Sequence, residues 1–147
     1  MSRFNMASLK DGMRPFIAPW LWLSLWGCAL GCVIVASLVP SRTLPTFPHV
    51  TDKAEHFLTY MLLGIGAFML FRNRIVVWIV ALGLVGLGCV LEVAQGSLTA
   101  DRSADVLDAA ANTMGVALSA LIGQTALKNT LVWIDGWLFG DTIEPLE

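Results

Sequence analysis

A long uncharged segment near the start of the chain constrains its fold more than any other feature. Between Arg14 and Arg42 the sequence carries no charged side chain, and residues 17–39 within it are almost entirely apolar. A hydrocarbon core of about 30 Å is crossed by about 20 apolar residues in a helix. Residues 17–39 are therefore predicted to cross a membrane as a retained helix, because the segment is longer than the apolar part of a cleaved signal peptide.

The composition of the whole chain supports this interpretation. Of its 147 residues, 56% are hydrophobic and 14% are charged, whereas soluble globular domains carry about 25% charged residues. A small soluble domain exposes too much of its surface to water to tolerate that deficit. The net charge is −2, and no cluster of basic residues indicates nucleic-acid binding.

Three further apolar segments follow the first, so the sequence predicts an all-α integral membrane protein with about four transmembrane helices in a compact bundle. In chain order, the predicted spans are residues 17–39, 54–71, 75–95 and 104–127. Residues 40–51 contain three prolines and are predicted to form a loop. Ser103 is placed to cap the fourth helix, with Asp105 in its first turn. We treat residues 1–147 as a single domain with no internal repeat.

The last apolar stretch, residues 130–140, is too short to span a membrane. Trp133 and Trp137 lie one helical turn apart, which predicts a short C-terminal helix in the membrane interface.

The distribution of basic residues sets the predicted orientation, because Lys and Arg accumulate in cytoplasmic loops. With both termini in the cytoplasm, six basic residues lie inside and three lie outside. The inner residues are Arg3, Lys10, Arg14, Arg72, Arg74 and Lys128, and the outer ones are Arg42, Lys53 and Arg102.

In this orientation, polar side chains of three helices are predicted to meet near the outer membrane face. Within each helix they recur at three- or four-residue spacing and therefore share one face. The second helix contributes Asp52, His56 and Tyr60, the third Glu92 and Gln95, and the fourth Asp105, Asp108 and Asn112. A carboxylate at membrane depth costs roughly 2.5–3.5 kcal/mol, so these groups should be paired or face a wet cavity. Lys53 and Arg102 are the nearby cations in this topology.

Small residues recur at every fourth position of the fourth helix. Such a stripe lets two helices approach closely, either within the chain or between two copies in a homodimer. Its members are Ala111, Gly115, Ser119 and Gly123.

The polar residues have the order and spacing of a known family's motifs. They read Asp52-Lys53-x-x-His56-x-x-x-Tyr60, then Glu92-x-x-Gln95, then Arg102-x-x-Asp105-x-x-Asp108-x-x-x-Asn112-x-x-Gly115. Over about residues 50–123 this pattern resembles the VanZ-like membrane protein family, although Ser119 stands where that pattern leads us to expect glycine. The resemblance implies a protein of the bacterial cytoplasmic (inner) membrane. The family's namesake is associated with resistance to the glycopeptide antibiotic teicoplanin.

Our leading hypothesis is that the outer polar cluster binds an amphiphilic envelope ligand. The ligand classes are a phospholipid, a lipid-linked cell-wall intermediate and a lipoglycopeptide antibiotic. Lys53 and Arg102 would hold an anionic group by charge-assisted hydrogen bonds. The remaining predicted ligand-binding residues are Asp52, Tyr60, Gln95 and Asn112.

Two alternatives remain open on the sequence alone. In the first, the protein is an enzyme that hydrolyses or transfers a lipid headgroup, with His56 as general base or with a divalent metal that activates water. The candidate catalytic residues are His56, Glu92, Asp105 and Asp108. Nothing matches a known metal-ligand spacing, and we predict no resident metal or cofactor. In the second alternative, the cluster is a structural lock or part of an assembly surface.

Overall fold

The computed structural model describes residues 11–39, 51–98 and 104–140. The complete helices in these ranges are α1 (Pro19–Leu38), α2 (Asp52–Leu70), α3 (Arg74–Leu98), α4 (Val106–Ile122), the 3-10 helix Ala126–Asn129, and α5 (Thr130–Phe139). Extended pairing in the described ranges is limited to one isolated bridge between Met13 and Phe71. The prediction of an all-α protein is therefore confirmed for the described residues.

Two helices, α1 and α3, are long and apolar enough to cross a membrane on their own. A third span is obtained if α4 and the segment Ala126–Phe139 are counted together, although the two parts are bent by 85°. Helix α2 does not qualify, because its first two turns carry Asp52, Lys53, Glu55 and His56. By length and composition, two to three of the four predicted spans are thus suited to a membrane.

The fourth predicted span ends earlier than the sequence analysis proposed. Helix α4 stops at Ile122 rather than Leu127, and its 17 residues measure about 25 Å. Gly123 is the C-cap of α4. It packs against the ring of Phe68 so closely that a Cβ atom there would collide with the ring. The Thr125 hydroxyl then accepts a hydrogen bond from Leu127 N and starts the 3-10 helix, so the chain turns instead of continuing.

The N-cap of α4 is Asp105, whose carboxylate accepts a hydrogen bond from Leu107 N at 2.8 Å. The sequence analysis placed Asp105 in the first turn and assigned the cap to Ser103, which lies outside the described residues. An aspartate is among the preferred N-cap residues, since its short side chain reaches the free N–H groups of the first turn.

Helices α2 and α4 pack closely along the small-residue stripe. A Cβ atom on Gly115 would collide with backbone atoms of Phe57 and Met61, and one on Gly64 would collide with Ser119. Residue numbers increase in the same direction along both helices. Lys53 of α2 contacts Asp108 of α4 at one end, and Phe68 of α2 contacts Gly123 at the other. The two helices therefore run parallel, and the stripe is covered by α2 within one chain. A homodimer through the stripe stays a prediction and would require this packing to be replaced.

A buried carboxylate, which the sequence analysis did not single out, accepts hydrogen bonds from backbone N–H groups at the start of α1. Asp135 of α5 is 1% exposed. It accepts hydrogen bonds from the backbone nitrogens of Ile17 and Ala18 and, at 2.7 Å, from Trp22 Nε1. Because Pro19 opens the helix without an N–H group, Asp135 satisfies the donors just before it. This contact fixes α5 across the start of α1.

Residues before α1 also pair with the turn between α2 and α3. Arg14 N donates to Leu70 O, and Arg72 N donates to Gly12 O, each at 2.9 Å. The Asn73 side chain then accepts from Ile75 N at 2.9 Å and caps the start of α3. These contacts gather the start of α1, the end of α2 and the start of α3 at one end of the molecule.

We predict that Gly115→Ala destabilises the protein, because the added methyl group would push α4 away from the α2 backbone. Overpacking of this kind costs about 1–3 kcal/mol. The matched control is Gly86→Ala on α3, where an added Cβ meets no atom within 4 Å, so stability should stay equal or rise. Thermal unfolding in detergent checks this, and equal melting temperatures for the two variants would contradict the packing described here.

Candidate functional site

Lys53 connects α2 to the start of α4 through two carboxylates. Its Nζ lies 2.6 Å from Asp105 Oδ2 and 2.9 Å from Asp108 Oδ1. The Asp108 side chain is 7% exposed, whereas those of Lys53 and Asp105 are 45% and 40% exposed. The buried carboxylate is thus neutralised by a cation that still reaches solvent, as expected for a charge near membrane depth.

These hydrogen bonds stabilise the charged forms of the two exposed partners. The bonds to Asp105 and Asp108 raise the pKa of Lys53 above its usual range. The pKa of Asp105 is lowered mainly by the hydrogen bond from Lys53 and to a smaller extent by the hydrogen bond from Leu107 N. Both groups are therefore ionised at neutral pH, and the contact is a true ion pair.

Glu92 joins α3 to this ion pair. Its carboxylate is 4% exposed, and Oε1 accepts a hydrogen bond from Asp105 N at 2.7 Å. Within the described ranges, the other oxygen, Oε2, has no hydrogen-bond partner, and neither does the buried Tyr60 hydroxyl. Because an unpaired buried polar group is costly, both atoms need a water, a ligand or a residue outside those ranges. Arg102, one of the two cations predicted to lie near these carboxylates, is outside the described residues.

His56 occupies the centre of the polar face of α2. Its Nδ1 lies 3.1 Å from Asn112 Oδ1 on α4, and its Nε2 lies 4.0 Å from Asp52 Oδ1. When Nδ1 donates its proton to Asn112, Nε2 carries the lone pair and can accept a proton. The imidazole is thus oriented by an amide that is itself 2% exposed.

Gly88 allows the polar side chains of α2 and α4 to reach α3. A Cβ atom at Gly88 would lie 3.0 Å from Asn112 Nδ2 and 3.2 Å from Tyr60 Cε1. Both distances are shorter than ordinary carbon contacts, so a larger residue would displace Asn112 and with it the hydrogen bond to His56. A glycine on the polar face of α3 is therefore part of the site's construction.

A pocket of about 140 Å³ opens beside this network, between α1, α2 and α3. Most of its polar lining comes from α2, and Gln95 of α3 closes one side. The lining residues are Val33, Ala36, Ser37, Asp52, Glu55, His56, Thr59, Tyr60 and Gln95. The polar groups of this lining are carboxylates, hydroxyls, an amide and the His56 imidazole, and Lys53 is not part of it.

In the metal alternative, the candidate ligands are His56, Glu92, Asp105 and Asp108. Asp105 pairs with Lys53, and Glu92 Oε1 accepts a hydrogen bond from Asp105 N, whereas Asp108 pairs with Lys53 and also lies close to His56. In the part of the chain that the structure describes, the side chains whose ligand atoms lie within 4.8 Å of one another are Asp52, His56 and Asp108. Lys53 already occupies one Asp108 oxygen at 2.9 Å.

The structure brings the described candidate residues to one end of the bundle, through the pocket or the connected polar network. They are Asp52, Lys53, His56, Tyr60, Glu92, Gln95, Asp105, Asp108 and Asn112. The sequence analysis did not find the contribution of α1, because Val33, Ala36 and Ser37 lie in an apolar helix without a polar pattern. It also passed over Glu55 and Thr59, although both flank His56 on the polar side of α2.

With this geometry in view, the chain was compared with known proteins. Comparisons with protein-family models, curated proteins and solved structures found no match. The VanZ-like resemblance stays a prediction from the spacing of the residues.

We predict that the stabilising effect of Lys53 depends on pH at both extremes. The contribution of Asp105 is present above its ordinary pKa of about 3.9 and is lost as the pH falls through its lowered value. The contribution of Lys53 is present below about pH 10.4 and is lost as the pH rises through its raised value. The melting-temperature difference between wild type and Lys53→Met should therefore be constant from about pH 5 to pH 9 and narrow outside that window.

The control for this measurement is Lys128→Met, which removes the same charge where no ion pair to a described residue exists. Its difference from wild type should stay small across the window. A Lys53→Met difference that persists unchanged at pH 3 would contradict the ion pair.

Proposed function

We propose that this chain is a VanZ-like, multi-pass protein of the bacterial inner membrane that binds an amphiphilic envelope ligand in its outer-face pocket. Four spans and cytoplasmic termini would put the polar ends of α2, α3 and α4 at the outer leaflet. The short helix α5 would lie in the inner interface, where the exposed Trp133 and Trp137 suit the headgroup region. The ligand classes remain a phospholipid, a lipid-linked cell-wall intermediate and a lipoglycopeptide.

The observation that carries the proposal is the junction between the polar pocket and an apolar groove. Ala36 of α1 lines both the pocket and a groove of about 470 Å³ on the same helix. The groove is otherwise lined by Cys28, Gly31, Cys32, Val35 and Val39. An amphiphile could therefore set its headgroup among the polar side chains and lay its hydrocarbon chain along α1.

The pocket's chemistry favours a headgroup that donates hydrogen bonds. Asp52 and Glu55 supply carboxylate acceptors, and Thr59 and Gln95 supply further polar groups. Lys53 is balanced by Asp105 and Asp108, so it offers little free positive charge to an anion. An ammonium group or sugar hydroxyls match this lining better than a phosphate does.

This proposal predicts a bound amphiphile that depends on the pocket carboxylates. Because a neutral hydrogen bond contributes about 1 kcal/mol less than a charge-assisted one, Asp52→Asn/Glu55→Gln should weaken binding roughly 10- to 100-fold. Native mass spectrometry of protein extracted with bacterial membrane lipids measures the adduct. The matched control is Asp11→Asn. It makes the same carboxylate-to-amide change at an exposed residue that does not line the pocket.

A specific amine- or sugar-bearing adduct on wild type and control, lost on the double variant, supports the proposal. The same adduct on all three proteins would contradict it. If none of the folded proteins carries an adduct, the buried polar network is better explained as a structural lock.

An enzyme that hydrolyses or transfers a lipid headgroup is the second candidate. It is favoured by the position of His56, whose ring lines the pocket and is oriented by Asn112. An imidazole held in this way is suited to take a proton from water or from a hydroxyl nucleophile.

The enzyme candidate predicts that His56→Gln abolishes headgroup release but leaves adduct formation nearly intact, since glutamine keeps a polar side chain at that position. Incubating wild type with the identified amphiphile and analysing the lipid products by mass spectrometry checks this. Intact lipid after prolonged incubation with wild type would remove the enzyme candidate while leaving the binding proposal standing.

A further inference from the structure

A second cavity lies at the opposite end of the bundle from the polar pocket. It measures about 570 Å³ and is bounded by the C-terminal ends of α2 and α4 and by the start of α3. We call it the basic groove, after four of its lining residues, Arg14, Arg72, Arg74 and Lys128. No aspartate or glutamate appears in its described lining, which is completed by Phe68, Phe71, Val77, Trp78, Ala120, Gly123 and Gln124.

No described aspartate or glutamate forms an ion pair with a basic residue of the groove. The ion pairs among the described residues involve Lys53 and His56, which lie at the other end of the molecule. Arg14 is held by neutral acceptors instead, since its Nε donates to Phe68 O at 3.2 Å and its Nη1 donates to Asn129 Oδ1 at 3.3 Å. Burial lowers the pKa of Arg14. The neighbouring Arg72 lowers it further, because the two positively charged guanidinium groups repel each other.

The backbone adds to this positive potential on one side of the groove. Arg72 and Arg74 flank the N-terminal end of α3, where the helix dipole is positive and no acidic residue lies in the first turn. Cations are ordinarily favoured at the opposite end of a helix. An anion in the groove would relieve the repulsion between the arginines and the unfavourable interaction with the dipole.

Apolar surface beside the groove indicates what kind of anion it suits. Trp78 lines the groove and is 52% exposed, and the neighbouring α3 residues Ile75 and Ile79 are 71% and 65% exposed. A free phosphate would use only the cations, whereas a phospholipid would place its phosphate among them and its acyl chains on α3. Basic pockets between transmembrane helices on the cytoplasmic side are typical sites for anionic headgroups.

We propose that the basic groove binds the headgroup of an anionic phospholipid from the inner leaflet. Arg72 and Arg74 hold the phosphate, Lys128 adds charge from the far wall, and Trp78 lies at the level of the ester groups. Arg14 has a positioning role, because its bonds to Phe68 and Asn129 fix the wall of the groove. This site is separate from the outer-face pocket; it rests on the membrane orientation proposed above but not on the ligand proposed for that pocket.

The test compares two lipids that share acyl chains and differ in headgroup charge, phosphatidylglycerol and phosphatidylcholine. The full-length protein is titrated with each in detergent and followed by native mass spectrometry. Wild type should bind phosphatidylglycerol roughly tenfold or more tightly, and the preference should weaken as the ionic strength rises. Arg72→Gln/Arg74→Gln should reduce phosphatidylglycerol binding to the level of phosphatidylcholine.

The matched control is Arg72→Lys/Arg74→Lys, which keeps both charges and should retain most of the preference. Arg72 and Arg74 are exposed, so neither double variant is expected to disturb folding, which circular dichroism verifies. Equal binding of the two lipids by wild type, or an unchanged preference in the glutamine variant, would overturn the proposal.

A competition experiment separates a lipid from a free phosphate as the ligand. Glycerol 3-phosphate carries a phosphate ester on glycerol without acyl chains, as a monoester rather than the diester of phosphatidylglycerol. If millimolar glycerol 3-phosphate fails to displace phosphatidylglycerol, the lipid assignment holds. If it displaces the lipid at comparable concentration, the groove binds soluble phosphates and the lipid proposal is wrong.

Discussion

The backbone contact between α2 and α4 determines where the polar groups of this protein lie. Gly115 lets α4 approach Phe57 and Met61 so closely that no side chain separates the helices. Since the two helices are parallel, this contact also brings Lys53 alongside Asp108 at one end. The ion pair is therefore a consequence of the packing, and a shift of α4 would leave a buried carboxylate without its cation.

The two ends of the bundle have opposite electrostatic character. At one end, carboxylates line a small pocket and the nearby cation, Lys53, is already paired. At the other end, a larger groove is lined by basic residues and has no acidic residue in its described lining. The basic end contains four of the six residues that the positive-inside rule assigned to the cytoplasm. The difference between the two ends also underlies our proposals of different headgroups for the two sites, one donating hydrogen bonds and one carrying negative charge.

Helical periodicity predicted most of the polar side chains of the site but not the apolar wall that α1 contributes to the pocket. The three- and four-residue spacing of His56, Asn112 and their neighbours was enough to assign them to facing surfaces. Periodicity carries no information on an apolar wall, so the contribution of α1 through Val33 and Ala36 was missed. The Asp135 cap joins residues more than 110 positions apart, and local pattern does not encode such a contact. The end of α4 was misjudged because Gly123 was counted as a member of the small-residue stripe, whereas it forms the C-cap of the helix.

The proposed orientation, with the polar pocket outside and the basic groove inside, is most directly tested by cysteine labelling in intact spheroplasts. In a background with Cys28, Cys32 and Cys89 replaced by alanine, one protein carries Ser97→Cys and a second carries Ala126→Cys, both at exposed positions. A membrane-impermeant maleimide should label Ser97→Cys in intact spheroplasts and Ala126→Cys only after permeabilisation. Labelling of Ala126→Cys from outside, with Ser97→Cys protected, would reverse the orientation and contradict the account.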